Sequence, residues 1–133
     1  MALDSNSNLL MNNYILHLET ATKVCSVALS KNGIVVAEKE SIAEGFIHSE
    51  ALTLYIEDVM NEAGVSLSEL SAISVSSGPG SYTGLRIGLS TAKGLCFALN
   101  IPLISVETLL SLRALVANEE KSIIPMLDAR RME

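Results

Sequence analysis

Tryptophan is absent from this 133-residue chain, and two phenylalanines and three tyrosines supply all of its aromatic surface. Nine lysines and arginines stand against fifteen aspartates and glutamates, for a net charge of −6, and the basic residues are scattered. A self-sufficient RNA binder shows a basic face with aromatic stacking platforms, so direct, strong nucleic-acid binding is excluded as a primary role. Cysteine is scarce too. Cys25 and Cys96 lie far apart without metal or redox spacing, which fits buried reduced thiols in a cytoplasmic protein better than a disulfide scaffold. No apolar run approaches the roughly 18 residues that a membrane span needs. The start, Met1-Ala-Leu-Asp-Ser-Asn-Ser-Asn, has no basic segment followed by an apolar one and reads as a polar, mobile tail over residues 1–13 rather than a secretory signal.

Apolar residues make up 49% of the chain, enough for one real core and hence one domain. Tyr14–Glu19, Val24–Ser30 and Ile34–Ser41 have strand composition, and Asn32-Gly33 between the last two is a hairpin signal. An antiparallel three-strand meander follows. A helix is predicted from His48 to Ala63 with Gly64 as its stop, then a strand over Ala72–Ser76 and a helix over Leu85–Leu99. Pro102–Val106 reads as a short strand, Glu107–Val116 as a helix and Ile123–Asp128 as the start of another strand. The order βββαβαβα implies an α/β fold, a mixed sheet of about five strands flanked by helices. Residues 14–121 would form this lobe, and residues 122–133 the start of a truncated second one.

The densest motif is Ser77-Gly-Pro-Gly-Ser-Tyr-Thr-Gly-Leu-Arg-Ile-Gly88, set between a strand and a helix. Glycines around a proline make a tight turn, and Ser81 or Thr83 can cap the helix that follows. The first amides of that helix favour an anion, so Gly78, Gly80, Ser81 and Thr83 are candidate phosphate-loop residues, with Glu19 and Thr20 at the end of the first strand. The same glycines equally serve to bring the helix close to the sheet. Spacing alone does not choose between the two.

Drawn on a helical wheel, Gly84 to Asn100 places Arg86, Ser90, Lys93 and Asn100 in one stripe with Phe97 among them. The rest is apolar or small over roughly 220°, more than the ~100° stripe a helix needs to cover one sheet face. Gly84, Gly88 and Ala92 form a ribbon of small side chains that permits close approach. These features suggest a partner interface comprising Leu52, Tyr55, Ile56, Val59 and Met60 on the first helix. On the second it would comprise Gly84, Gly88, Ala92, Leu95 and Cys96.

The chain resembles the TsaB (YeaZ) family. The resemblance rests on Ile15-Leu-His-Leu-Glu-Thr-Ala-Thr22, Cys25-Ser-Val-Ala-Leu29, His48 and Gly78-Pro-Gly-Ser-Tyr-Thr-Gly-Leu-Arg-Ile-Gly88. It continues through Ala92-Lys-Gly-Leu95, Ile101-Pro102, Ser105-Val-Glu-Thr-Leu109 and Asp128-Ala-Arg130. It implies an actin-like ATPase fold built of two RNase-H-like lobes. It further implies a non-catalytic subunit of the machinery that makes N6-threonylcarbamoyladenosine on tRNA, meeting tRNA only through the complex. The implied partners are a TsaD-type catalytic subunit, docked through a helical bundle, and a small TsaE-type ATPase; a homodimer through the same helices is compatible. No cofactor is required, although ATP or ADP with Mg²⁺ at the partner boundary is compatible with the superfamily.

Hydrolytic chemistry finds little support. A metal-dependent glycoprotease needs two histidines about one helical turn apart plus further ligands. TsaD-like sequences carry such a pair where this chain has Thr108 and Leu112, and His17 and His48 are isolated. Ser81 lacks a histidine nearby in sequence and a Gly-x-Ser-x-Gly elbow. An ATPase lobe would need a metal-anchoring carboxylate beside the phosphate loop. Glu19, with Asp128 as a second, is the available choice, and Glu19 reads first as a solvated turn residue or an N–H acceptor.

Overall fold

The computed structural model describes residues 11–42, 48–115 and 124–127. Strands β1 (Tyr14–Glu19), β2 (Val24–Lys31) and β3 (Ile34–Ile42) form the meander. Helix α1 (His48–Ala63) and a short 3₁₀ turn (Leu67–Glu69) lead into β4 (Leu70–Ser76). Helix α2 (Tyr82–Leu99), β5 (Leu103–Val106) and helix α3 (Thr108–Ala114) complete the order βββαβαβα. The sheet reads β3-β2-β1-β4-β5. The meander is antiparallel, while β4 pairs parallel with β1 and β5 parallel with β4. Asn32 and Gly33 both take positive φ, 52° and 84°, as a two-residue hairpin turn twisted with its strands requires.

Alternation sorts the strands into two faces. Leu16 and Leu18 of β1, Cys25, Val27 and Leu29 of β2, and Ile73 and Val75 of β4 point to one side and are buried. Leu52, Ile56, Val59 and Met60 of α1 and Ala92 and Cys96 of α2 close over them as one core. Each fully buried leucine, isoleucine or valine contributes about 1.5–3 kcal/mol. The opposite face carries His17 and Glu19 of β1 and Ser74 and Ser76 of β4.

The elements agree with the sequence pattern except at their ends. Helix α2 begins at Tyr82, one turn before Leu85, because Ser81 caps it: its Oγ accepts the Gly84 amide at 3.3 Å. Helix α3 spans Thr108–Ala114, shorter than Glu107–Val116. The strand expected over Ile123–Asp128 is not formed at residues 124–127, which carry no regular structure. Ile123, Asp128, Val116 and the tail residues 1–10 lie outside the described residues.

Candidate functional site

The glycine turn between β4 and α2 sits at the carboxyl end of β1, with Gly80 and Ser81 against Ala21 and Gly84 against Thr20; Glu19 lines the hollow on the other sheet face and Thr83 the groove between the helices. Gly78 has φ +116°, a conformation that L side chains rarely adopt, and the Gly78–Pro79 bond is cis. Several of the turn's polar groups are engaged by its neighbours. The Ser81 amide donates to Ala21 O at 2.6 Å, and the Ser77 amide to Val106 O at 2.9 Å. Gly78 O accepts the Thr108 amide at 3.0 Å. The Thr20 hydroxyl, fully buried, donates to Gly84 O at 2.6 Å. Glu19 spends one carboxylate oxygen on the Ala21 amide at 3.0 Å and the other on the Ser76 hydroxyl. The glutamate therefore ties the ends of two strands together and serves its own turn as an N–H acceptor.

The small-residue ribbon has an intramolecular use. A Cβ at Gly84 would overlap the Thr20 carbonyl oxygen, and one at Gly88 would overlap the Thr20 hydroxyl. Absence of those two methyl groups is what lets α2 lie directly on the end of β1. This corrects the expected interface. Leu52, Ile56, Val59, Met60, Gly84, Gly88, Ala92 and Cys96 are all buried by their own sheet and by each other. Leu95 is half-buried against the same core. Tyr55 is half-buried with its hydroxyl on Ser41 Oγ at 2.5 Å. The wheel counted residue types, and small side chains on a helix packed this closely disappear into the fold.

What remains outside is the opposite stripe of the same two helices. On α2 it runs Tyr82, Arg86, Ser90, Lys93 and Phe97, with Tyr82 74% and Phe97 91% exposed. On α1 it runs Glu50, Leu54, Glu57 and Asn61, with Leu54 57% exposed. The Arg86 guanidinium lies 5.3 Å from the Tyr82 ring centroid. A shallow groove of about 350 Å³ between the helices is lined by Ser49, Thr83, Arg86, Ile87, Ser90 and Thr91. The signal for this stripe was in the sequence, where Phe97 falls among Arg86, Ser90 and Lys93.

The other sheet face holds a smaller hollow of about 200 Å³, lined among others by His17, Glu19, Ser26, Ser74, Ser76 and Ser111. His17 Nδ1 meets Ser74 Oγ at 2.6 Å and Nε2 meets Ser30 Oγ at 2.8 Å. Burial holds its pKa below the ordinary histidine value. The serines at alternate positions of β2 and β4 were the sequence trace of this cluster. Burial raises the pKa of both thiols, Cys25 and Cys96. Among the described residues, no group of three His, Cys, Asp or Glu side chains is placed to hold a metal ion. No helix among them is long and apolar enough to cross a membrane.

The family model described as "TsaD: tRNA N6-adenosine threonylcarbamoyltransferase" matches residues 43–133. The chain is 36% identical to the Escherichia coli tRNA threonylcarbamoyladenosine biosynthesis protein TsaB over 121 residues. That match covers 90% of the chain and 52% of the relative. A solved YeaZ from Pseudomonas aeruginosa superposes with a TM-score of 0.70 at 38% identity, over 77% of this chain and 48% of that one. The chain belongs to the TsaB (YeaZ) family. It spans about half the length of the curated TsaB relatives it matches. Thermus thermophilus RuvC, solved with a Holliday junction substrate, aligns with a TM-score of 0.50 at 8% identity over 79% of the chain and 71% of RuvC; this likeness concerns the fold alone. The lobe is RNase-H-like, a mixed five-strand sheet with flanking helices.

Proposed function

We propose that this lobe belongs to a non-catalytic subunit of tRNA threonylcarbamoyladenosine biosynthesis and docks a TsaD-type threonylcarbamoyltransferase through the outer stripe of α1 and α2. The observation that carries the reading is the exposure of Phe97, Tyr82 and Leu54 on two adjacent helices. Large apolar side chains exposed on two adjacent helices among charged residues are features of a docking surface. The relatives support the setting, since the TsaB proteins are named for the biosynthesis and other members of the matched family for the transfer. In this reading the protein works in the cytoplasm within a two-lobed subunit, a TsaE-type ATPase joins the assembly, and tRNA is met through the partner. ATP or ADP with Mg²⁺, if used, belongs to the boundary with the partner.

The nucleotide-binding alternative is the weaker reading. Both oxygens of Glu19 and the amides of Ser77 and Ser81 already bond within the lobe. The test is the mass of the complex formed when the full-length protein is mixed with its TsaD-type subunit. The double variant Leu54→Ser, Phe97→Ser should bind at least about tenfold more weakly, as loss of an exposed aromatic anchor does, with an unchanged circular dichroism spectrum. Wild-type protein that stays separate, or a double variant that binds as tightly as wild type, overturns the reading.

A further inference from the structure

The groove between α1 and α2 takes most of its lining from one continuous face of α2. Thr83, Arg86, Ile87, Ser90 and Thr91 fall at i, i+3, i+4, i+7 and i+8, and Ser49 in the first turn of α1 adds the other side. Five of these six side chains are polar, four hydroxyls and one guanidinium, and none is a carboxylate. A hydroxyl on a helix commonly donates back to the carbonyl four residues earlier. Thr53 does so to Ser49 O at 3.1 Å, and Ser111 to Glu107 O at 3.4 Å. The hydroxyls of Ser49, Thr83, Ser90 and Thr91 make no such bond and have no hydrogen-bond partner among the described residues.

Arg86 enters no ion pair among the described residues, where Lys39–Asp58 is the one present. Its guanidinium lies over the Tyr82 ring, a cation–π contact that restrains the side chain beside the groove. Unspent donors thus surround one unmatched cation, with Ile87 as the apolar part of the lining. Such a set is complementary to an anion that carries several oxygens. A phosphate monoester presents three strong acceptor oxygens and nearly two charges at neutral pH, more than a carboxylate offers on either count. The volume of about 350 Å³ is more than a bare phosphate fills and lies at the low end of small-molecule sites. A polyanion such as RNA is repelled by the net charge of −6, so the phosphate belongs to a small molecule.

We propose that this groove binds the phosphate group of a small phosphomonoester, with Arg86 as its anchor and the hydroxyls of Ser49, Thr83, Ser90 and Thr91 as further donors. A guanidinium fork holds two oxygens of one phosphate through parallel N–H groups. The hydroxyls rotate to meet the remaining lone pairs, and the body of the ester packs on Ile87. Binding makes and breaks no covalent bond. The proposal does not rest on the docking reading, because neither Leu54 nor Phe97 lines the groove.

Amide NMR spectra of the full chain, titrated at constant ionic strength with inorganic phosphate, glycerol phosphate and acetate, test it. Both phosphates should saturate in the millimolar range, with the first shifts at Ser49 and residues 83–91. Glycerol phosphate should bind more tightly than inorganic phosphate, and acetate at least about fivefold more weakly than either. Arg86→Gln should weaken binding at least about tenfold, and Thr83→Ala with Ser90→Ala several-fold, each with an unchanged circular dichroism spectrum. The double variant Leu54→Ser, Phe97→Ser should bind phosphate as wild type does. Shifts that never saturate, or that centre on lysines outside the groove, overturn the proposal without recourse to any variant. Binding that survives Arg86→Gln overturns it as well, and so does acetate that binds as tightly as the phosphates. Glycerol phosphate no tighter than inorganic phosphate marks an adventitious ion only, and the proposal falls.

Discussion

His17 is held between serines of the two strands that flank its own, Ser30 of β2 and Ser74 of β4. A neutral imidazole donates from one nitrogen and accepts at the other, and both hydroxyls can oblige. Burial places its folded pKa below the unfolded value. The unfolded chain therefore takes up a proton first as the pH falls. The stability is full above the ordinary histidine pKa of about 6.5 and is lost as the pH drops from there through the folded value. Thermal unfolding followed between pH 7 and pH 5 should show this loss, and His17→Asn should flatten the slope while lowering the melting temperature throughout. That cluster was only half legible in the chain. A lone histidine on a strand announces nothing, and the serines that complete it become visible as partners only once the register Leu16–Leu29 and His17–Ser74 is known.

At the scale of the element, α2 is defined by how closely it lies on β1. Gly88→Ala should raise helix propensity by about 1 kcal/mol, yet the added methyl runs into the Thr20 hydroxyl, which itself holds Gly84 O. The close contact prevails, and urea unfolding should show a net loss of about 1–3 kcal/mol, the cost of overpacking a well-filled site. Strand and helix order, the Asn32-Gly33 hairpin and the Ser81 cap were all readable, because turn chemistry and apolar period are local signals. The assignment of the ribbon Gly84, Gly88 and Ala92 was not. A row of small residues says that some backbone comes near, and only the fold says that it is the chain's own Thr20. The exposed stripe of both helices lies opposite the residues that the apolar pattern singles out, and Phe97 belongs to it.

Across the whole molecule, stability is graded from the centre of the sheet to its rims. Strands β2, β1 and β4 are paired on both sides, whereas β3 and β5 close the sheet at either edge. Hydrogen exchange should find the slowest amides in β1, β2 and β4 and the fastest strand amides on the outer side of β3, where Ile34, Val35, Val36 and Ile42 are exposed. The layering was legible as a class, while the end of the chain was not: residues 124–127 carry strand composition and form no strand with the described residues. The rim near Gly78 has a different character. There the β1–β2 turn, the β4–α2 turn and the start of α3 are laced to one another by the amides of Ser77, Ser81 and Thr108. Main-chain stitches of this kind are cut by proline and by little else. Descendant sequences can thus repaint the rim wherever it is not glycine, altering charge and bulk there, and still inherit its shape.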